Sequence, residues 1–85
     1  MKPIEIYTPQ RYMEWILSQS TAVCEYHRGL LMRDRQSTGE LGGSQVSALA
    51  REAWRSYERG EVTLFQKKLD EGMYSYMAAK VHRGL

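Results

Sequence analysis

The sequence predicts an α+β domain, with two or three helices packed on a small antiparallel sheet, in the order β-α(α)-α-β-β. The sheet consists of a short N-terminal strand and a C-terminal β-hairpin. Three observations carry this reading. Apolar residues recur every three or four positions from Tyr12 to Leu30 and from Val46 to Tyr57, the helical period. The period then drops to two from Val62 to about His82, with a break at Asp70-Glu71-Gly72. A short alternating stretch, Ile4-Glu5-Ile6-Tyr7, opens the chain.

At 85 residues and 9.9 kDa the chain holds one domain, 1–85. Apolar residues make up 42% and charged residues 26%, which excludes a collagen, a coiled-coil rod or a disordered tail. A single cysteine, Cys24, excludes a framework of internal disulfides and fits a reducing cytoplasm. Apolar runs such as Leu30-Leu31-Met32 are far short of a membrane span, and the N-terminus carries no signal-like h-region. A cytoplasmic protein without membrane contact is therefore expected. The net charge of +2 is too small to announce a nucleic-acid binder by itself.

Thr8-Pro9 is a helix start, with Thr8 as N-cap and Pro9 at the first helical position, where a missing N–H costs nothing. From there Tyr12, Ile16, Gln19, Val23, Tyr26 and Leu30 form a stripe, widened by Trp15, Ala22 and His27. One helix over 9–33 would measure about 37 Å, long for so small a globule. Ser18-Gln19-Ser20-Thr21 offers a bend, because these side chains compete for backbone hydrogen bonds. One helix over 9–33, or two over 9–17 and 21–33, both fit. Residues 34–44 contain three glycines and read as a mobile loop. Ser44 then caps a helix whose stripe is Val46, Leu49, Ala50, Ala53, Trp54 and Tyr57, and Gly60 ends it. In the hairpin, Gly72 supplies the left-handed turn position.

Few residues offer chemistry. Cys24-x-x-His27 on a helix, with His82, would supply three metal ligands, but zinc takes four in a recognised spacing. A buried Cys and an interfacial His is the simpler reading. A Cys–His nucleophile pair lacks a third group and an oxyanion loop, and Gly39 to Gly43 is no phosphate loop. No catalytic residue, metal or cofactor is assigned, and the chain does not read as an enzyme.

Binding residues are better marked. Arg51, Arg55 and Arg59 place a guanidinium on successive turns, and a hairpin with Lys67, Lys68 and Lys80 follows at once. That is the layout of a winged helix on DNA. Glu52 and Glu58 can neutralise the same arginines, leaving a solvated face. Tyr74 and Tyr76 share one face of the return strand, and a domain this small cannot bury all nine aromatics. Tyr and Arg are the residue types enriched in protein–protein hot spots.

Tyr26-His27-Arg28-Gly29-Leu30-Leu31-Met32-Arg33-Asp34-Arg35, a variable loop and an Ala-rich helix are followed by Gly60-Glu61-Val62-x-Leu64-x-Gln66-Lys67-Lys68 and a Tyr-bearing strand. This layout, over about residues 20–80, resembles small phage and prophage proteins. The resemblance implies a non-enzymatic protein that occupies a surface of a host protein or nucleoprotein complex, as anti-CRISPR and other anti-defence inhibitors do. The alternative it leaves open is a winged-helix-like DNA-binding regulator. A homodimer is a third, compatible expectation. If the 9–33 helix is continuous, its Trp15/Ile16/Val23/Leu30 stripe overhangs the second helix and needs a cover.

Overall fold

The computed structural model describes residues 2–31, 33 and 43–81. Along them run β1 (Ile4–Glu5), α1 (Pro9–Leu17), β2 (Cys24–Gly29), α2 (Gly43–Glu58), β3 (Val62–Asp70) and β4 (Met73–Lys80). The expected loop at 34–44 lies outside the described residues as far as position 42, and so does His82.

α1 begins as its residues dictate. Thr8 has extended backbone and its hydroxyl accepts the Arg11 N–H at 3.1 Å, with Pro9 at the first turn. Ser18 ends the helix: its backbone turns extended, and both its N–H and its hydroxyl donate to the Trp15 carbonyl, at 3.1 and 2.7 Å. Ser18 Oγ then accepts the Ser20 N–H, and Ser20 Oγ the Ala22 N–H. These serines spend their hydrogen bonds on a chain reversal, so the continuous 9–33 helix does not form.

The second alternative fails as well: the chain continues from the bend as a strand, Cys24–Gly29. Cys24 and Tyr26 turn inward with Glu25 between them, a period of two that the Val23, Tyr26, Leu30 spacing concealed. Tertiary pairing decides it. A two-residue strand cannot stand alone and a lone hairpin is marginal in water, but β2 joins them into one sheet. The order is β1-β2-β4-β3. β1 runs parallel to β2 (Ile4↔Cys24), while β2 and β3 flank β4 antiparallel. The sheet is thus mixed rather than antiparallel, and the described part of the fold reads β-α-β-α-β-β with two helices.

α2 ends where Gly60, at φ 77°, adopts the left-handed conformation, with its N–H on the Tyr57 carbonyl at 2.9 Å. The hairpin closes on Glu71-Gly72, two residues instead of three, because Leu69 is an extra residue bulged out between Lys68 and Asp70. Gly72 takes φ 68° there.

Both helices lie on one face of the sheet. Ile6, Tyr12, Trp15, Cys24, Tyr26, Leu49, Ala53, Val62 and Ala78 form the core between them, with Leu64 and Tyr76 packed against it. Small residues at Cys24, Ala53 and Ala78 make room for three large rings. Tyr12 meets Trp15 at 5.5 Å and Tyr26 edge-on at 6.4 Å, the geometry aromatic quadrupoles prefer. Burial pushes the Tyr12 and Tyr26 phenols and the Cys24 thiol up to about 12, so all three stay neutral.

One buried polar link joins the helices. Tyr12 Oη and Ser56 Oγ are 2.7 Å apart, and Ser56 gives its only hydroxyl proton to the Ala53 carbonyl at 2.8 Å, so Tyr12 is the donor. Ser56→Ala would strand a buried phenol proton, whereas Tyr12→Phe leaves Ser56 still bonded to Ala53. We expect Ser56→Ala to cost about 1–3 kcal/mol and Tyr12→Phe to cost less. Urea denaturation of both variants checks the order, and a larger loss for Tyr12→Phe would contradict the donor assignment.

Candidate functional site

The predicted binding residues fall into separate groups. Arg51 and Arg55 project from the exposed side of α2, and Arg59 follows its last turn. Arg55 is paired with Glu52 at 3.4 Å and Arg59 with Glu61 at 3.0 Å. Lys67 and Lys68 are exposed on β3 near the hairpin tip, with Lys68 on Glu71 at 3.1 Å.

Lys80 belongs to neither group. Its ammonium donates to the Ser18 carbonyl at 2.7 Å and lies 5.1 Å from the centre of the Trp15 ring, tying β4 to the end of α1. Tyr74 and Tyr76 share a face as expected, but it is the helix-covered face, and both are half-buried. Tyr76 stacks near Tyr26 and His27 and its hydroxyl accepts the Leu31 N–H at 3.1 Å. Phe65 pairs with Met77 on the opposite face.

Two residues assigned to the core are outside it. Trp54 is 55% exposed and Tyr57 46%, their rings 5.3 Å apart. The buried stripe of α2 is instead Leu49, Ala53 and Ser56, at i, i+4 and i+7. The serine hid this stripe, because a polar residue stands where the Tyr12 hydroxyl needs a partner. Rotating the helix toward Ser56 swings Trp54 and Tyr57 out. The outward side of α2 therefore presents Arg51, Trp54 and Arg55, flanked by Tyr57, a surface that the sequence periodicity concealed.

A second constellation was not anticipated. Glu25 is 1% exposed although it points to the sheet face that bears no described helix. The Tyr7 hydroxyl donates to its Oε1 at 2.5 Å and Ser75 donates to Oε2. Arg28 donates to both oxygens, at 3.3 and 3.1 Å. In a regular strand, residues three apart point to opposite faces. Here a bulge between Glu25 and His27 inserts one residue, sends Tyr26 and His27 together against Tyr76, and brings Arg28 back beside Glu25.

Burial raises the Glu25 carboxyl, but the hydrogen bonds from Ser75, Tyr7 and Arg28, with the Arg28 charge, outweigh it and hold the group below the ordinary carboxylate value. The same carboxylate, after burial, keeps the Tyr7 phenol well above its usual value. A carboxylate held low is a weak base, and its four donors leave it no proton to accept from a substrate. The arrangement locks the two inner strands, β2 and β4, to each other and to the segment that follows β1.

Among the described residues no group of three His, Cys, Asp or Glu could hold a metal, and no helix is long and apolar enough to cross a membrane. Cys24 and His27 sit on a strand, not on the helix expected for them. No known protein family, curated protein or solved structure matches this chain.

Because the folded-state value of Glu25 is depressed, its stabilisation is present above the unfolded carboxylate range and is lost as pH falls through the lower, folded value. Glu25→Gln should cost about 1–3 kcal/mol near neutrality, and the gap to the unsubstituted protein should close in acid. Thermal denaturation from neutrality down to about pH 2 reads it. A gap that stays constant over that range would show that Glu25 is not held as an anion.

Proposed function

We propose that this chain is a non-enzymatic binding protein that occupies a surface of a host protein or nucleoprotein complex in the host cytoplasm. This is how the small phage proteins it resembles in layout are expected to act. The outward side of α2 carries the contact, with Trp54 as anchor and Arg51 and Arg55 beside it. The observation behind this is the exposed Trp54 ring packed beside Tyr57, next to Arg51 and Arg55 on the outward side of α2. Covering the exposed part of Trp54 removes about half of the roughly 150–250 Å² that a whole aromatic side chain buries, and Trp, Tyr and Arg dominate binding hot spots. The Glu52 carboxylate already holds Arg55, so less side-chain freedom remains to be lost on docking.

A DNA-binding regulator draws support from the exposed Lys67 and Lys68 in the hairpin that follows α2. Two features favour a protein surface instead. Arg55, Arg59 and Lys68 each share their charge with a glutamate, whereas phosphate-driven affinity needs several uncommitted cations. Residues 24–29 also form a strand where a winged helix would need a helix.

The test is capture of host-lysate proteins on the immobilised chain after nuclease treatment, in parallel with Trp54→Ala and Arg55→Glu. We expect a retained protein that both substitutions lose, with affinity falling by at least about 2 kcal/mol for Trp54→Ala, while folding stability changes by no more than about 0.5 kcal/mol. Equal capture by all three proteins would refute the assignment of this surface. Duplex binding that is tight at about 50 mM salt and collapses by about 200 mM would turn the reading to DNA.

A further inference from the structure

β3 is the last strand of the sheet, nine residues long, and no described strand lies beyond it. Which of its backbone groups are free follows from one bond. The Val81 N–H donates to the Glu61 carbonyl at 3.0 Å, making 61 and 81 a hydrogen-bonded pair. By alternation, Thr63–Ala79, Phe65–Met77 and Lys67–Ser75 are hydrogen-bonded too. The N–H and C=O groups of Leu64, Gln66 and Lys68 therefore point to the open edge. Edge strands are normally kept short, covered or twisted away. This one also carries Phe65, 42% exposed, on the face that bears no described helix.

We propose that β3 pairs with β3 of a second copy, antiparallel about a two-fold axis through Phe65, making one continuous eight-stranded sheet. The strand is complementary to itself in this register. Leu64 opposes Gln66, so the outward backbone groups meet outward backbone groups. Phe65 opposes its own copy, an aromatic cross-strand pair on the open face. Lys67 opposes Thr63, and Glu61 of the other copy, which holds its own Arg59 at 3.0 Å, is the diagonal neighbour that brings a carboxylate toward the lysine. The two lysines, which on a lone edge discourage pairing, here select the register. Centred on Phe65, Lys67 lies about 13 Å along the strand from its copy, whereas moving the two-fold axis two residues toward the hairpin tip, a four-residue slip between the copies, would set them face to face. This interface is separate from the α2 contact proposed above, and it replaces the overhanging-helix argument for a dimer, whose helix does not form.

Sedimentation equilibrium and amide exchange by NMR on the full chain test it. At about 100 µM the protein should have twice its 9.9 kDa mass, and dilution should dissociate it. The Leu64, Gln66 and Lys68 amides should exchange more slowly in the concentrated sample. Gln66→Pro removes one outward N–H and no bond to β4, so it should yield a folded monomer. Lys67→Glu should weaken association at least about tenfold, and adding Glu61→Lys should restore it. A monomer at the high concentration would overturn the proposal and leave the edge to a strand of another protein. A dimer whose three edge amides exchange at the same rate at both concentrations would overturn it too, whatever happens to the Pro variant. Trp54→Ala should not change the mass, which separates this outcome from failure of the α2 surface.

Discussion

One extra residue in the central strand sets the chemistry of both sheet faces. Without the bulge at Tyr26 and His27, Arg28 would turn toward the helices and Glu25 would sit on the opposite face as a buried charge without a cation. A carboxylate as buried as Glu25 is dehydrated, and a cation and hydrogen bonds at its oxygens offset that cost. With the bulge, Glu25 gains Arg28 while Tyr26 and His27 fill the space against Tyr76. The same insertion serves packing on one side and charge on the other. Tyr7, which stands between β1 and α1, reaches this carboxylate, so the parallel edge strand is anchored by more than its short ladder.

A domain of this size buries only about two-thirds of its unfolded surface, less than a larger one, and its polar groups are used as ties. Tyr12 to Ser56 joins the two helices, Lys80 to Ser18 joins β4 to the end of α1, and the Trp15 indole donates to the Ala22 carbonyl across the reversal. No buried side-chain polar atom among the described residues lacks a partner. These ties fix how the elements sit on one another, a specificity that a larger core would supply by shape.

Elements with end signals were legible in the sequence. Thr8-Pro9 marked the start of α1, the serines its end, Gly60 the end of α2 and Gly72 the hairpin turn. β2 was not legible, because Val23, Tyr26 and Leu30 satisfy a helical spacing while Cys24, Glu25 and Tyr26 satisfy a strand. Local pattern cannot arbitrate over six residues; the need of β1 and β4 for a common neighbour does. The proposed binding surface was half legible. Arg51 and Arg55 are exposed as the charge pattern required, but Trp54 and Tyr57 went to the core by hydrophobicity. The helix is in fact rotated toward Ser56, a residue whose buried role depends on Tyr12, distant in sequence. Glu25 was invisible for the same reason: its partners Tyr7 and Ser75 meet it only once the sheet has formed.

Trp54 and Phe65 are exposed for different reasons. Small residues line the buried side of α2, Ala50, Ala53 and Ser56, which lets the helix lie close to its neighbours but leaves no room there for an indole. Trp54 is therefore excluded from the core by volume, and its exposure is a property of α2 alone. Phe65 is exposed because sheet alternation sends it to the face opposite the helices, next to Met77, where the described residues offer only other strands as cover. Repacking the core would not hide Phe65, and extending the sheet would not hide Trp54. A partner that covers one leaves the other available, so self-association through β3 and host contact through α2 can operate on the same molecule. A two-fold through β3 would also place both copies of α2 on the same face of the joined sheet. Two identical contacts on one side would then raise avidity toward any host assembly that repeats its own surface at a matching distance.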